Sequence, residues 1–78
     1  MTLPPDIRRI AEDVLTAKQF EAFELECAGW GLVRIGRQLD ISKQAVGGRI
    51  DLAHRRLRNA GVRQDASGVW YLEREEAA

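Results

Sequence analysis

Basic and polar side chains suited to binding phosphate groups or base edges are concentrated between residues 34 and 56. Guanidinium and ammonium groups pair strongly with phosphate oxygens, and a glutamine amide can bind an adenine edge through two hydrogen bonds. Residues of these types in one stretch predict a surface that recognises anions or nucleic acid. The candidate contact residues are Arg34, Arg37, Ser42, Lys43, Gln44, Arg49, Arg55 and Arg56.

The distribution of charge supports this prediction, although the formal net charge of the whole chain is zero. Residues 1–30 carry three basic and six acidic side chains, so their net charge is −3. Residues 31–64 carry eight basic and two acidic side chains (+6), and residues 65–78 carry one basic and four acidic ones (−3). A merely solvated arginine-rich helix would normally have acids interspersed as partners. The segregation therefore favours attraction of a polyanion.

The residue types that catalysis or metal binding would need are scarce. The chain has one cysteine, Cys27, and one histidine, His54, so a zinc site of cysteine and histidine ligands cannot be assembled. No glycine-rich phosphate loop or nucleophile motif is present, and no cofactor is expected. Cys27 is expected to be a partly buried, unreactive thiol, and His54 to lie at the surface or close to a phosphate. The sequence predicts a protein that is not an enzyme.

The spacing of apolar residues predicts two helices that would present these polar groups. Leu32, Ile35 and Leu39 recur at helical spacing, and so do Val46, Ile50, Ala53 and Leu57. Ser42 between them is a suitable N-cap for the second helix. Because only three residues separate the helices, the pattern is typical of a helix-turn-helix whose second helix enters the DNA major groove. Two neighbouring helices of an ordinary bundle would show similar spacing.

The sequence as a whole predicts a mainly α domain that spans residues 1–78. It is expected to be a four-helix helix-turn-helix domain with a C-terminal β-hairpin as a wing. Helices are expected near residues 6–15, 17–28, 31–39 and 43–59, and the hairpin at 62–72. Arg63 would contact the DNA backbone from such a wing. Alternatively, Trp70 and Leu72 dock on the helices as a loose tail or form a dimer contact.

More than half of the chain, residues 15–57, resembles the region-4 helix-turn-helix of bacterial sigma factors and the related LuxR-type effector domains. The shared pattern is Leu-Thr, a glutamine, an aromatic or aliphatic helix, a glycine, an Ile-Ala-x-x-Leu run, and an Ile-Ser before a small residue and valine. The matching positions here are Leu15-Thr16, Gln19, Phe23, Gly29, Ile35-Gly36, Leu39, Ile41-Ser42 and Ala45-Val46.

The resemblance implies roles for individual residues. In those families the second helix reads bases, which would place Lys43 and Gln44 in the major groove. Ser42, at the start of that helix, and the flanking basic residues would hold phosphates. The basic residues in question are Arg34, Arg37, Arg49, Arg55 and Arg56.

Two features depart from the family pattern. Asp40 stands where the turn often has glycine, and aspartate tolerates the left-handed backbone that such a turn requires. Gly47 and Gly48 occupy positions whose side chains would normally reach bases, and each glycine costs the helix about 1 kcal/mol relative to alanine. Either the helix backbone approaches DNA unusually closely at Gly47 and Gly48, or the protein recognises DNA by shape with few base contacts.

The function expected from these observations is duplex DNA binding, sequence-specific or shape-specific, by a small bacterial or phage transcription regulator that could act as a homodimer. One alternative is a protein-interaction module that docks on RNA polymerase or a sigma factor. Another is a phage accessory DNA-binding protein. No apolar run approaches the roughly 20 residues that cross a bilayer. The lone cysteine and the lack of a signal peptide pattern predict a cytoplasmic protein without membrane contact.

Overall fold

A computed structural model describes residues 3–73 of the chain; residues 1–2 and 74–78 of the predicted domain lie outside this range. The described chain is mainly helical and ends in a small two-stranded antiparallel sheet, as predicted. No helix within it has the length and apolar character needed to cross a membrane. The elements are α1 (Pro5–Val14), α2 (Ala17–Cys27), α3 (Leu32–Leu39), α4 (Lys43–Asn59), β1 (Val62–Gln64) and β2 (Trp70–Leu72).

Helix α2 begins with a reciprocal capping box. The Gln19 backbone N–H donates to the Thr16 hydroxyl at 3.2 Å, and the Thr16 backbone N–H donates to the Gln19 side-chain oxygen at 3.1 Å. Gln19 is also the one polar residue among the buried residues of the described chain, and these bonds satisfy its side-chain oxygen. The burial of Gln19 was not predicted from the sequence.

Replacing Thr16 with alanine should lower the free energy of unfolding by about 1 kcal/mol, because the Gln19 backbone N–H loses its hydroxyl acceptor. Urea denaturation followed by circular dichroism measures this change. Thr16→Ser keeps the hydroxyl and serves as the control. Equal stability of the alanine and serine variants would contradict the assigned cap.

The hydrophobic core has two clusters, and α4 contributes to both. One cluster contains Ile7, Phe23 and Leu57, with Val62 from β1. The other joins α2, α3 and α4 through four buried residues: Ala22, Ile35, Val46 and Ile50. Since the buried residues of α4 recur every three or four positions, one face of this helix packs against the core from Val46 to Leu57.

A tight turn joins α3 to α4. Asp40 adopts the left-handed conformation, with φ 57° and ψ 47°, as expected for a residue standing in for glycine. The Ile41 backbone N–H donates to the Gly36 carbonyl at 2.9 Å. A Cβ atom on Gly36 would lie 2.8 Å from the Ile41 carbonyl oxygen. The close approach of α3 to the turn therefore requires a glycine at position 36.

The C-terminal segment forms the predicted hairpin, and its residues Trp70 and Leu72 also dock on the helices, which had been given as an alternative. Strands β1 and β2 pair with Arg63 opposite Tyr71. The Trp70 ring meets Phe23 edge-on, with centroids 5.3 Å apart. In the connecting turn, Asp65 accepts hydrogen bonds from Ser67 and from the Val69 backbone N–H, and these bonds lower the pKa of its carboxyl group.

Candidate nucleic-acid interface

The outer face of α4 carries a continuous row of exposed residues opposite its buried face. Gln44, Gly48, Asp51 and Arg55 are all exposed and follow one another at intervals of four, three and four. Residues at this spacing lie on one side of a helix. This row is the part of α4 that a groove-binding helix would present to base edges.

The beginning of α4 is exposed and lies beside an open groove. The Ser42 hydroxyl accepts a hydrogen bond from the Ala45 backbone N–H at 3.1 Å, which fixes where the helix starts. A groove of about 420 Å³ separates this first turn from α3. Its lining residues are Val33, Gly36, Arg37, Asp40, Ile41, Ser42 and Lys43.

Two cationic side chains and one carboxylate, that of Asp40, line the groove, so its net charge is positive. Arg37 and Lys43 line it from opposite helices, both are exposed, and within residues 3–73 neither forms an ion pair. The first backbone N–H groups of a helix lack intrahelical partners, and they carry the positive end of the helix dipole. Two cations and these donors therefore converge on one exposed groove, where a phosphate could be bound.

Arg34 lies on the outer side of α3, near Arg37. Its guanidinium carbon is 3.8 Å from the centroid of the Trp30 ring, which is a stacking contact. Trp30 itself is half-buried and packs against the second core cluster. The contact between the two side chains was not predicted, although their separation of four positions could have suggested it.

The three arginines of the middle and end of α4 do not share one environment. Arg55 is exposed in the outer row, whereas Arg49 is half-buried. Arg56 donates to the Val14 carbonyl oxygen at 3.3 Å, at the end of α1. Since a helix rises 1.5 Å per residue, Arg55 lies about 18 Å along the axis from Lys43. The structure thus brings Arg37, Ser42, Lys43 and Gln44 together and places Arg55 and Arg56 far from them.

The two glycines in α4 have no role in the packing of the described chain. Gly48 is exposed and Gly47 half-buried, and a Cβ atom on either would meet nothing within 4 Å. Asp51 belongs to the same exposed row but was not among the predicted site residues. Its carboxylate would repel phosphate and could accept a hydrogen bond from the amino group of cytosine. Its position seven residues after Gln44 places it on the same side of the helix, and this spacing could have identified it from the sequence.

The environment of His54 corrects the prediction of a surface or phosphate-proximal residue. Its Nε2 atom lies 2.7 Å from Glu26 Oε1, and its ring meets Phe23 and Trp70 edge-on. The side chain is 32% exposed. His54 therefore joins α4 to α2 and to the hairpin. The reason is tertiary, because the two partners of this hydrogen bond are 28 positions apart.

Other side chains are also held by contacts that the fold creates. Glu24 pairs with Arg8 at 2.8 Å, and Glu26 lies beside His54. Arg63 was expected to contact DNA from the hairpin. Instead it donates to the Arg58 carbonyl at 2.6 Å and pairs with Glu73 at 2.9 Å. Each of these side chains is engaged by a neighbour that lies close only in the folded chain.

A cavity of about 440 Å³ lies between the hairpin and the ends of α1 and α2, and Cys27, Glu26, His54 and Trp70 are among its lining residues. Burial, and then the nearby Glu26 charge, raise the pKa of the Cys27 thiol to about 11. At neutral pH the thiol is protonated, and a thiol in that state is a poor nucleophile. The arrangement agrees with the unreactive cysteine expected from the sequence. Within residues 3–73, no cluster of three metal-ligating side chains occurs.

Comparison of the chain with models of known protein families, with curated proteins and with solved structures found no match.

Proposed function

We propose that this protein binds duplex DNA through α3 and α4 acting as a helix-turn-helix, with α4 in the major groove. The observation that carries the proposal is the convergence of Arg37, Lys43 and the first backbone N–H groups of α4 on one exposed groove. In this arrangement these groups hold a backbone phosphate, and the phosphate fixes the register of α4. Exposed Gln44 is then positioned to read a base edge.

The charge of the helix pair supports the same assignment. Residues 32–59, from the start of α3 to the end of α4, carry seven basic and two acidic side chains, a net charge of +5. One of the acids, Asp40, is used for the left-handed turn. DNA attracts such a surface because each neutralised phosphate releases a condensed counterion. A small transcription regulator, acting singly or as a homodimer on two half-sites, is the biological role we propose.

The competing proposal is docking on RNA polymerase or a sigma factor, for which the acidic residues of α2 would offer a charged face. Glu24 pairs with Arg8 at 2.8 Å, and Glu26 lies 2.7 Å from His54. The Arg8 guanidinium offsets the Glu24 carboxylate and so reduces the charge available for a protein partner. We therefore prefer DNA, whether the regulator belongs to a bacterium or to a phage.

Affinity for a labelled duplex, measured by fluorescence anisotropy across a series of salt concentrations, tests the proposal. The logarithm of the binding constant should fall linearly with the logarithm of salt concentration, with a slope of roughly −0.9 per phosphate contacted. Binding that is absent, or insensitive to salt, would exclude this function. Selection from random-sequence duplexes then measures specificity, and one enriched palindrome would indicate two copies on two half-sites.

A further inference from the structure

The stacked pair of Trp30 and Arg34 differs from the pair of Phe20 and Arg8, because Arg8 also pairs with Glu12 and Glu24. The guanidinium carbon lies 3.8 Å from the centroid of the indole ring. Arg34 itself is exposed, and among residues 3–73 its side chain forms no ion pair. Stacking therefore occupies a face of the guanidinium and leaves its N–H edge available for another partner.

The position of Trp30 is fixed by the backbone that ends α2. Gly29 has φ 94°, and its N–H donates to the Glu26 carbonyl at 2.9 Å. The Trp30 N–H donates to the Leu25 carbonyl at 3.1 Å, which completes a Schellman motif. The indole also packs against the second core cluster. The ring is consequently a rigid platform, held from both its backbone and its side chain.

Arg34 and Arg37 are three positions apart in α3, so they are neighbours on one side of the helix. A polyanion bound at the Arg37 groove would pass close to Arg34. On this basis, and resting on the proposed function, we propose that Trp30 is a positioning residue for a DNA phosphate contact made by Arg34. The indole restricts the guanidinium before binding, so less conformational freedom is lost when a phosphate accepts its hydrogen bonds.

A double-mutant cycle on DNA affinity tests this role. Trp30→Leu removes the ring and should weaken binding about two- to fivefold, the range of an exposed cation–π contact. In an Arg34→Ala background, Trp30→Leu should have no further effect on affinity. Trp30→Phe keeps an aromatic face and should restore most of the loss. Equal weakening by Trp30→Leu with and without Arg34 would show that Trp30 acts only through the core.

Arg34→Lys provides a second test that leaves the core intact. Lysine keeps the charge but lacks the planar group that stacks on the ring. The variant should lose affinity by about the same factor as Trp30→Leu while the salt dependence stays unchanged, because the number of charges near DNA is the same. Full affinity of Arg34→Lys would overturn the proposal.

A readout without DNA separates this inference from the proposed function. In the free protein, the indole ring current should shift the NMR signals of the Arg34 side chain upfield, and Trp30→Leu should abolish the shift. Absence of the shift overturns the positioning role, whatever the protein binds. Failure of the unaltered protein to bind DNA overturns the proposed function and this role together. Retained DNA binding without coupling between Trp30 and Arg34 overturns this role alone.

Discussion

Replacing Arg37 with alanine should weaken binding to every duplex by about the same factor, on the order of 10- to 100-fold. The side chain lines the groove beside the start of α4, where a charge-assisted hydrogen bond to phosphate is worth about 1.5–3 kcal/mol. A lost phosphate contact should also make the salt dependence shallower by about 0.9 in the log–log slope. Anisotropy titrations against several unrelated duplexes measure both quantities.

Arg9→Ala is a matched control, because it removes the same charge from an exposed position on α1. It should leave both the affinity and the slope nearly unchanged. A loss from Arg9→Ala as large as that from Arg37→Ala would mean that the net charge of the protein, not the groove, governs binding.

Gln44→Ala should behave differently from Arg37→Ala. The Gln44 side chain is exposed in the outer row of α4, where a bidentate contact to adenine would discriminate between bases by about 1–3 kcal/mol. The variant should therefore relax sequence preference at one position and lose little affinity for unrelated DNA. If both variants weaken all duplexes equally, Gln44 reads no base.

The second large effect is expected on the free energy of unfolding, when alanine replaces glycine at position 36 and, separately, at position 48. In Gly36→Ala the new Cβ would lie 2.8 Å from the Ile41 carbonyl oxygen, so backbone must shift, at a cost of about 1–3 kcal/mol. Gly48→Ala meets open space and should instead stabilise α4 by about 1 kcal/mol. Urea denaturation of the two variants should thus give changes of opposite sign. A stabilised Gly36→Ala protein would contradict the close approach at the turn.

The affinity of Gly48→Ala for DNA then distinguishes the two interpretations of the glycine pair. If the helix backbone approaches DNA closely, the added methyl group should weaken binding although the fold has become more stable. If recognition is by shape with few base contacts, affinity should stay the same. A change in affinity can be attributed to the DNA contact, because packing in the described chain requires neither Gly47 nor Gly48.

Most of the local architecture could be predicted from the sequence because it depends on residues close in the chain. The periodicity of Val46, Ile50, Ala53 and Leu57 predicted the buried face of α4, and all four are buried. Ser42 was identified as a cap because its capping bond spans only three positions. The tolerance of aspartate for left-handed backbone anticipated the conformation of Asp40.

The candidate site was only partly predictable for the same physical reason. That Arg37, Lys43 and Gln44 belong together follows from a short turn between two helices. Which arginines are used internally does not follow, because Arg56 reaches the end of α1, 42 positions away in sequence. Helical spacing gives the side of the helix on which a residue lies, but it does not show what neighbouring elements place there.

By itself, the sequence determined the four helices, the cap of α4, the turn and the concentration of positive charge between residues 31 and 64, since these depend on composition and local spacing. Only the tertiary structure decided that His54 joins Glu26, that Trp70 packs on Phe23, and that the hairpin covers the core. It also decided that Arg34 lies stacked on Trp30. Such contacts depend on how the elements pack in space. The spacing of apolar residues along one helix shows which side of it is buried, but not which polar side chains of a neighbouring element lie beside it.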